Sequence, residues 1–156
     1  MAKTYRRVLH WFRRDLRLTD NTSLLEALSS SAEVVPVYVL SNWSGEHLWT
    51  GAKRQKFLCE CLASLSNNLE HLGGHLIIRQ GDAKQTVLKV AEEINADLIV
   101  MGSRGLGRLQ SILSNSTSQY VFQLSTRPML LVRDDLYVRH VNRLMVTIDG
   151  TGVGDD

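Results

Sequence analysis

Cysteine is nearly missing from this chain: Cys59 and Cys61 are the two present in 156 residues. They stand two apart in a helical pattern, so they point to different sides and are poorly placed to bridge. They have neither zinc-site spacing nor a C-x-x-C redox arrangement, and helix packing is the reading they fit. No apolar run approaches the ~20 residues that span a membrane. Met1-Ala-Lys-Thr-Tyr-Arg-Arg7 leads into a strand-like run without the apolar core of a signal peptide, so a cytoplasmic protein without membrane contact is expected. The charge surplus is small, a formal +2, and by itself gives no case for nucleic acid; DNA is not expected as a partner. No Gly-x-x-x-x-Gly-Lys-Ser/Thr loop occurs, which excludes a P-loop ATPase. Five scattered histidines make no site, and no Ser/His/Asp or metal-ligand spacing stands out. No catalytic residue and no metal are expected, and the chain reads as a non-enzyme.

What is present is enough apolar residue, 44%, to build one core in a domain of ordinary size. Arg7-Val-Leu-His-Trp-Phe-Arg13 reads as a central first strand; its His10 is either a ligand or a satisfied core histidine. Asp20 or Asn21 can cap the helix carrying Leu24, Leu25, Ala27 and Leu28, and Ser29-Ser-Ser31 ends it. Val34-Val-Pro-Val-Tyr-Val-Leu40 is the second strand, with Pro36 near a strand start or on the less demanding side of the sheet. Thr50 to Leu72 is a long helix whose Leu58, Leu62, Leu65, Leu69 and Leu72 make one inward stripe, closed by Gly73-Gly74. His75-Leu-Ile-Ile-Arg79 is the third strand. The next helix opens at Gly81-Asp82, where Asp82 and Gln85 can form a capping box, and buries Val87, Val90, Ala91 and Ile94. Trp43, His47 and Trp49 lie in the loop before the long helix. They are either a stacking platform for a ring or packing beneath that loop.

The most informative stretch is Leu98-Ile-Val-Met-Gly-Ser-Arg-Gly-Leu-Gly-Arg108, an apolar strand running into a glycine bend. A helical pattern follows, with Leu109, Ile112, Leu113, Tyr120, Val121 and Leu124 at three- and four-residue steps. Strand, glycine bend and helix offer an anion backbone N–H groups and the positive end of a helix dipole. Gly102, Gly105 and Gly107 let a ligand approach the backbone, and Arg104 and Arg108 add positive charge. The same pattern also serves α/β proteins that merely turn at glycine and bind nothing.

Two family resemblances sharpen this. Gly102-x-x-Gly105, nine residues, then Asn115-Ser116 resembles the nucleotide loop of universal stress proteins, with Asn115 where that family has its third glycine. The resemblance implies that Gly102, Gly105 and Ser116 hold the phosphates of ATP or AMP; Arg104, Gly107 and Asn115 are expected beside them from their place in the same loop. Arg127-Pro128-Met-Leu-Leu-Val-Arg133 resembles the same family's last strand and implies a homodimer built around Pro128 to Val132. The front of the chain, roughly residues 7 to 100, resembles the amino-terminal domain of photolyases and cryptochromes. Its signature is Trp11-Phe-Arg-Arg-Asp-Leu-Arg-Leu-Thr-Asp-Asn21, supported by Val35-Pro-Val-Tyr-Val-Leu40 and His75-Leu-Ile-Ile-Arg-Gln-Gly-Asp82. In that family this domain sometimes holds an antenna pigment, a folate or a flavin. The repair flavin belongs to a large helical domain that these residues do not contain, so photorepair by this polypeptide alone is not expected.

Strands alternating with helices predict a doubly wound parallel sheet with helices on both faces and a ligand edge where strand order reverses. Right-handed crossovers give the order 3-2-1-4-5, a Rossmann-like plan that both families share. It sets Phe12, Arg13, Arg14 and Asp15 opposite Gly102, Arg104 and Gly105. Arg13, Arg14 and Arg17 either face a phosphate or DNA, or pair with Asp15, Asp20 and the chain's other carboxylates. One domain is expected over residues 1–140. The tail, 141–156, carries Arg143-Leu-Met-Val-Thr-Ile-Asp149-Gly and resembles the first strand of a second stress-protein unit; alternatively it adds a strand to this sheet or to a partner. Three functions are in play: an adenine-nucleotide-binding stress or signalling module, a photolyase-related pigment or nucleic-acid accessory domain, and a dimeric scaffold that binds nothing.

Overall fold

The computed structural model describes residues 3–41, 51–103 and 117–133. Among the described residues five strands and four helices alternate: β1 (Tyr5–Phe12), α1 (Thr22–Ser30), β2 (Ser31–Leu40), α2 (Ala52–His71), β3 (Ile77–Gln80), α3 (Ala83–Glu93), β4 (Leu98–Ser103), α4 (Thr117–Leu124) and β5 (Met129–Arg133). All pairings are parallel, and the sheet order is β3-β2-β1-β4-β5, as the alternation predicts.

The side-chain period of two sorts the central strands between two layers. Leu9 and Trp11 of β1 pack with Val37, Val39, Ile99 and Met101 against Val87, Val90 and Ala91 of α3 and Val121 of α4. Phe12, the next residue along, packs on the opposite face with Tyr38, Leu24 of α1 and Leu62, Leu65 and Leu69 of α2. Both faces are covered, which is why these strands are apolar throughout instead of alternating. On α2 the leucine stripe holds except at its end, where Leu72 is exposed. Cys59 is exposed too and Cys61 half-buried, both as free thiols; Cys59 thus faces water instead of packing.

Helix ends follow local chemistry. Asn21 caps α1 by accepting from the Leu24 backbone N–H at 3.1 Å. Gly73, at φ 80, closes α2: its N–H reaches the Glu70 carbonyl and that of Gly74 the Leu69 carbonyl, a Schellman arrangement. Asn95, at φ 52, does the same for α3. Two boundaries depart from expectation. β2 begins at Ser31, three residues earlier than the apolar run, because the Ser31 hydroxyl turns back to the Ala27 carbonyl while its backbone pairs with Tyr5. β3 begins at Ile77, not His75. Pro36 lies inside β2 opposite His10. Pairing with β3 starts only at Val37, so on that side no ladder partner exists for Pro36 to lose.

Among the described residues no helix is long and apolar enough to cross a membrane, and no group of three metal-ligating side chains occurs. The glycine bend beyond Ser103, the Trp43–Trp49 loop and the 141–156 tail lie outside the described residues.

Candidate functional site

Every crossover helix starts at the carboxyl edge of the sheet, so the loops after β1, β2, β3 and β4 gather there. At the switch point the β1–β4 ladder ends with His10 opposite Val100, although β1 continues to Phe12 and β4 to Ser103. Beyond that pair the two strands are no longer in register, at the switch point where strand-order reversal predicts a ligand crevice.

A buried polar chain borders that crevice. His10 Nε2 lies 3.0 Å from Ser23 Oγ, Ser23 Oγ donates to Asn21 Oδ1 at 2.8 Å, and Asn21 Nδ2 donates to the Arg17 carbonyl at 3.0 Å. Ser23 has a single hydroxyl proton and gives it to Asn21. It must therefore accept from His10, which fixes the histidine as the Nε2–H tautomer. Nδ1 is then a bare acceptor, and it is buried without a partner among the described residues. Burial pushes the His10 pKa down to about 4, against a smaller opposing pull from Asp15. Between the two sequence readings of His10, the structure chooses the core histidine, half satisfied. Gly102 meets the same group: a Cβ there would sit 3.3 Å from Ser23 Oγ.

The β1–α1 loop distributes its charges unevenly. Asp15 is forked by Arg17, with Oδ1 accepting from Nε at 2.9 Å and Oδ2 from Nη2 at 2.7 Å. Together with the Arg17 backbone N–H at 3.0 Å, this holds the carboxyl below its usual range. Asp15 is thus committed to shaping its own loop. Arg13 is half-buried with its guanidinium 5.1 Å from the Trp11 ring centroid, on the α3/α4 face of the sheet. Arg14 is exposed.

On that α3/α4 side lies an open cleft of about 350 Å³, lined by Ser41, Gly81, Asp82, Ala83, Lys84 and Thr117. It is bounded by the ends of β2 and β3 and by the first residues of α3 and α4. Gly81 bonds back to the Leu40 carbonyl at 2.9 Å and has φ 152, which an L side chain resists; a Cβ there would meet Thr86 Oγ1 at 2.7 Å. Lys84 Nζ lies 4.9 Å from the Tyr120 ring centroid and joins the two helices that form one wall. Asp82 Oδ1 accepts from the backbone N–H of Lys84 and of Gln85 at 3.1 and 3.0 Å. The cap is as expected, but among the described residues Gln85 returns no side-chain bond.

Of the residues expected at the site, Arg13, Arg14, Asp15 and Gly102 lie at the carboxyl edge; Arg104, Gly105, Gly107, Asn115 and Ser116 lie outside the described residues. The cleft's Ser41, Gly81, Lys84 and Thr117 were not singled out as ligand contacts by sequence. Gly81-Asp82 was legible as a helix start, while its meeting with Ser41 and Thr117 depends on tertiary packing.

A doubly wound parallel sheet in the order β3-β2-β1-β4-β5 with helices on both faces defines an α/β, Rossmann-like fold. More narrowly, the model for DNA photolyase matches residues 8–110, and the chain belongs to that family. It is 38% identical over 97 residues to the deoxyribodipyrimidine photo-lyase of Agrobacterium fabrum, covering 62% of this chain and 20% of that protein. It therefore spans about a fifth of the length of that relative. Among solved structures it is similar to the archaeal photolyase of Sulfolobus tokodaii, with a TM-score of 0.67 at 24% identity over 81% of this chain and 29% of that one. It is also similar to the universal stress protein UspA of Lactobacillus plantarum, with a TM-score of 0.52 at 17% identity over 85% of this chain and 100% of that one. The stress-protein likeness is therefore one of fold.

The expectation of a non-enzyme is overturned. Relatives in this family carry the name of a lyase. Because the chain spans so small a part of them, the lack of a helical domain within these residues decides nothing about the protein's chemistry.

Proposed function

We propose that this chain is the α/β accessory-cofactor domain of a photolyase- or cryptochrome-type protein, and that it holds the planar ring of a folate or flavin in the cleft between Ser41, Gly81 and Thr117. The observation that carries this reading is membership of the DNA photolyase family over residues 8–110; the open hollow of about 350 Å³ at the carboxyl edge of the sheet offers a place for the ring. The cap chemistry supports a ring at this point more than a phosphate. The Asp82 carboxylate already takes the N–H groups of Lys84 and Gln85 and would repel an anion placed at the start of α3. Ser41, Thr117 and the Gly81 backbone offer neutral donors and acceptors, and Lys84 brings one cation. The Sulfolobus relative was solved with two FAD molecules, implying a light-harvesting cofactor. When bound, such a group would supply absorption of light; the residues of this chain orient it and limit water around it.

A second reading, an adenine nucleotide with its phosphates on the loop after β4, is supported by the loss of β1–β4 register beyond His10 and Val100 and by Gly102 on the crevice. The solved universal stress proteins support only the shared fold. For assembly, we assign a homodimer contact to β5: among the described residues it is one of the two edge strands of the sheet, its Met129 to Val132 are apolar and half-buried, and such edges accept another strand. Light scattering tests that assignment.

The deciding experiment is mass spectrometry and absorbance of whatever leaves the freshly purified, denatured protein. A folate or flavin supports the first reading, and an adenine nucleotide alone supports the second. An empty protein is then titrated with FMN, a reduced folate and ATP in turn. Saturation by none of them overturns both.

A further inference from the structure

His10 is a titratable group buried on the central strand. β1 pairs with β2 on one flank and with β4 on the other, and Pro36 and Val100 stand opposite His10. Phe12 lies edge-on to the imidazole, with ring centroids 4.4 Å apart, and Ser23 of α1 accepts the Nε2–H at 3.0 Å. Nδ1 has no partner among the described residues. A proton taken up there adds an N–H without an acceptor and a charge without water, both of which a core resists. Few charges bear on the ring. Asp15, in the loop after β1, attracts a charged imidazole and is itself forked by Arg17. Tyr38 of β2 keeps its proton, because burial raises its pKa. Glu33 of β2 is exposed and paired with Arg7. Glu26, the one titratable residue of α1, is exposed, and β4 has none. From α2 this face receives Leu62, Leu65 and Leu69.

The two sides of the His10–Ser23 contact are not equally fixed. A strand paired on both flanks cannot withdraw without breaking the sheet. α1 has nine residues, and its first turn is held over His10 by Ser23 and by the Asn21 cap. The element with fewer ties opens first. We propose that protonation of His10 unlatches the first turn of α1 from β1, so that His10 and Ser23 form an acid-operated latch on the crevice between β1 and β4. Once Ser23 swings away, Asn21 Oδ1 keeps the Leu24 N–H but loses the Ser23 hydroxyl, and the imidazolium gains water and the nearby Asp15. Gly102 ties the movement to the ligand edge. A Cβ at that position would stand 3.3 Å from Ser23 Oγ, so displacing Ser23 clears the end of β4. A folded pKa of about 4 keeps the latch shut at neutral pH and lets it release in acid. The latch does not depend on which ligand the edge takes.

The test is amide hydrogen exchange of the purified chain by NMR, over a pH series from neutral into acid and corrected for the intrinsic pH dependence of exchange. The Leu24 and Leu25 N–H groups bond to the Asn21 side chain and carbonyl and report the latch. The Ile94 N–H, bonded to the Val90 carbonyl, and the Gly74 N–H, bonded to that of Leu69, report the rest of the fold. Opening at Leu24 and Leu25 should rise about tenfold for each pH unit between 6.5 and 4, while Ile94 and Gly74 change far less. His10→Gln keeps a donor for Ser23 and takes up no proton, so its Leu24 and Leu25 should open equally across that range. The proposal is overturned if Leu24 and Leu25 rise no faster than Ile94 and Gly74, or if His10→Gln gives the parent's profile. If that variant does not fold, the imidazole nitrogens of the parent decide. A His10 that gains its proton as Leu24 and Leu25 open supports the latch, and one that stays neutral while they open overturns it.

Discussion

His10 Nε2 and Ser23 Oγ meet at 3.0 Å in the core and join the central strand to the first turn of α1. Since Ser23 passes its own proton to Asn21, one hydroxyl links the sheet, the α1 cap and the loop around Arg17. Ser23→Ala would leave the His10 N–H and one lone pair of Asn21 buried and unpaired, a loss of about 1–3 kcal/mol. Urea unfolding checks this. A midpoint equal to the parent's would mean that water reaches both groups. The same substitution removes the oxygen nearest Gly102, so Gly102→Ala should be better tolerated in its presence than alone.

The buried imidazole makes stability depend on pH. His10 has a pKa of about 4 when folded, against 6.5 as the ordinary value. Between those limits the unfolded chain takes up a proton that the folded chain refuses. The stabilisation is complete above about pH 6.5 and is lost as pH falls through 4, amounting to about 3 kcal/mol over the window. Imidazole NMR should give a His10 midpoint near 4 and place the proton on Nε2 at neutral pH. A midpoint near 6.5 would show that the ring is reached by solvent.

Gly81 takes φ 152 while its N–H stays bonded to Leu40. Gly81→Ala should therefore destabilise by about 1–3 kcal/mol through backbone strain, with the Thr86 hydroxyl in the way as well. Adding Thr86→Ala should recover only the steric part. Complete recovery in urea unfolding would show that the backbone conformation costs little.

Much of this fold was readable before any coordinates. The apolar runs at Val8–Phe12, Val37–Leu40 and Leu98–Met101 are nearly continuous because both sheet faces are covered. Asn21 and Asp82 announced their helices by cap chemistry, and right-handed crossovers then left one strand order. The site was less readable. Ser41, Gly81 and Thr117 are far apart in sequence and none has a distinctive neighbourhood, so only the packing of α3 against α4 brings them to one cleft. The partnership of Asp15 with Arg17 was legible as an alternative, but sequence could not choose between a loop fork and a phosphate contact. Ser23 gave no signal, since a serine in the first turn of a helix ordinarily serves the helix end and not a histidine on a neighbouring strand.

Asp82 is exposed, so its two N–H bonds act on the start of α3 alone. Asp82→Ala should cost about 1 kcal/mol and Asp82→Asn much less. The carboxylate also keeps anions away from those N–H groups. Asp82→Asn should therefore raise the affinity of phosphate-bearing ligands for the cleft relative to a ring without phosphate. Paired titrations with FMN and riboflavin read that ratio, and an unchanged ratio would place the phosphate away from α3.

Ala83 is the first residue of α3 and lines the cleft. Its small side chain leaves space there, and any residue that accepts helical backbone can replace it at little intrinsic cost. Ala83→Trp should fill much of the cleft, and because Ala83 is partly buried against the layer of Leu9, Val87 and Val121 its urea midpoint should fall as well. Any ring that copurifies with the parent should then be lost at temperatures where the variant is still folded. Absorbance of the purified variant, normalised to protein, is the measurement. If a folate or flavin still copurified in parent amount, the ring would have to sit elsewhere on the edge, and the crevice between β1 and β4 beside Gly102 would be the place left for it.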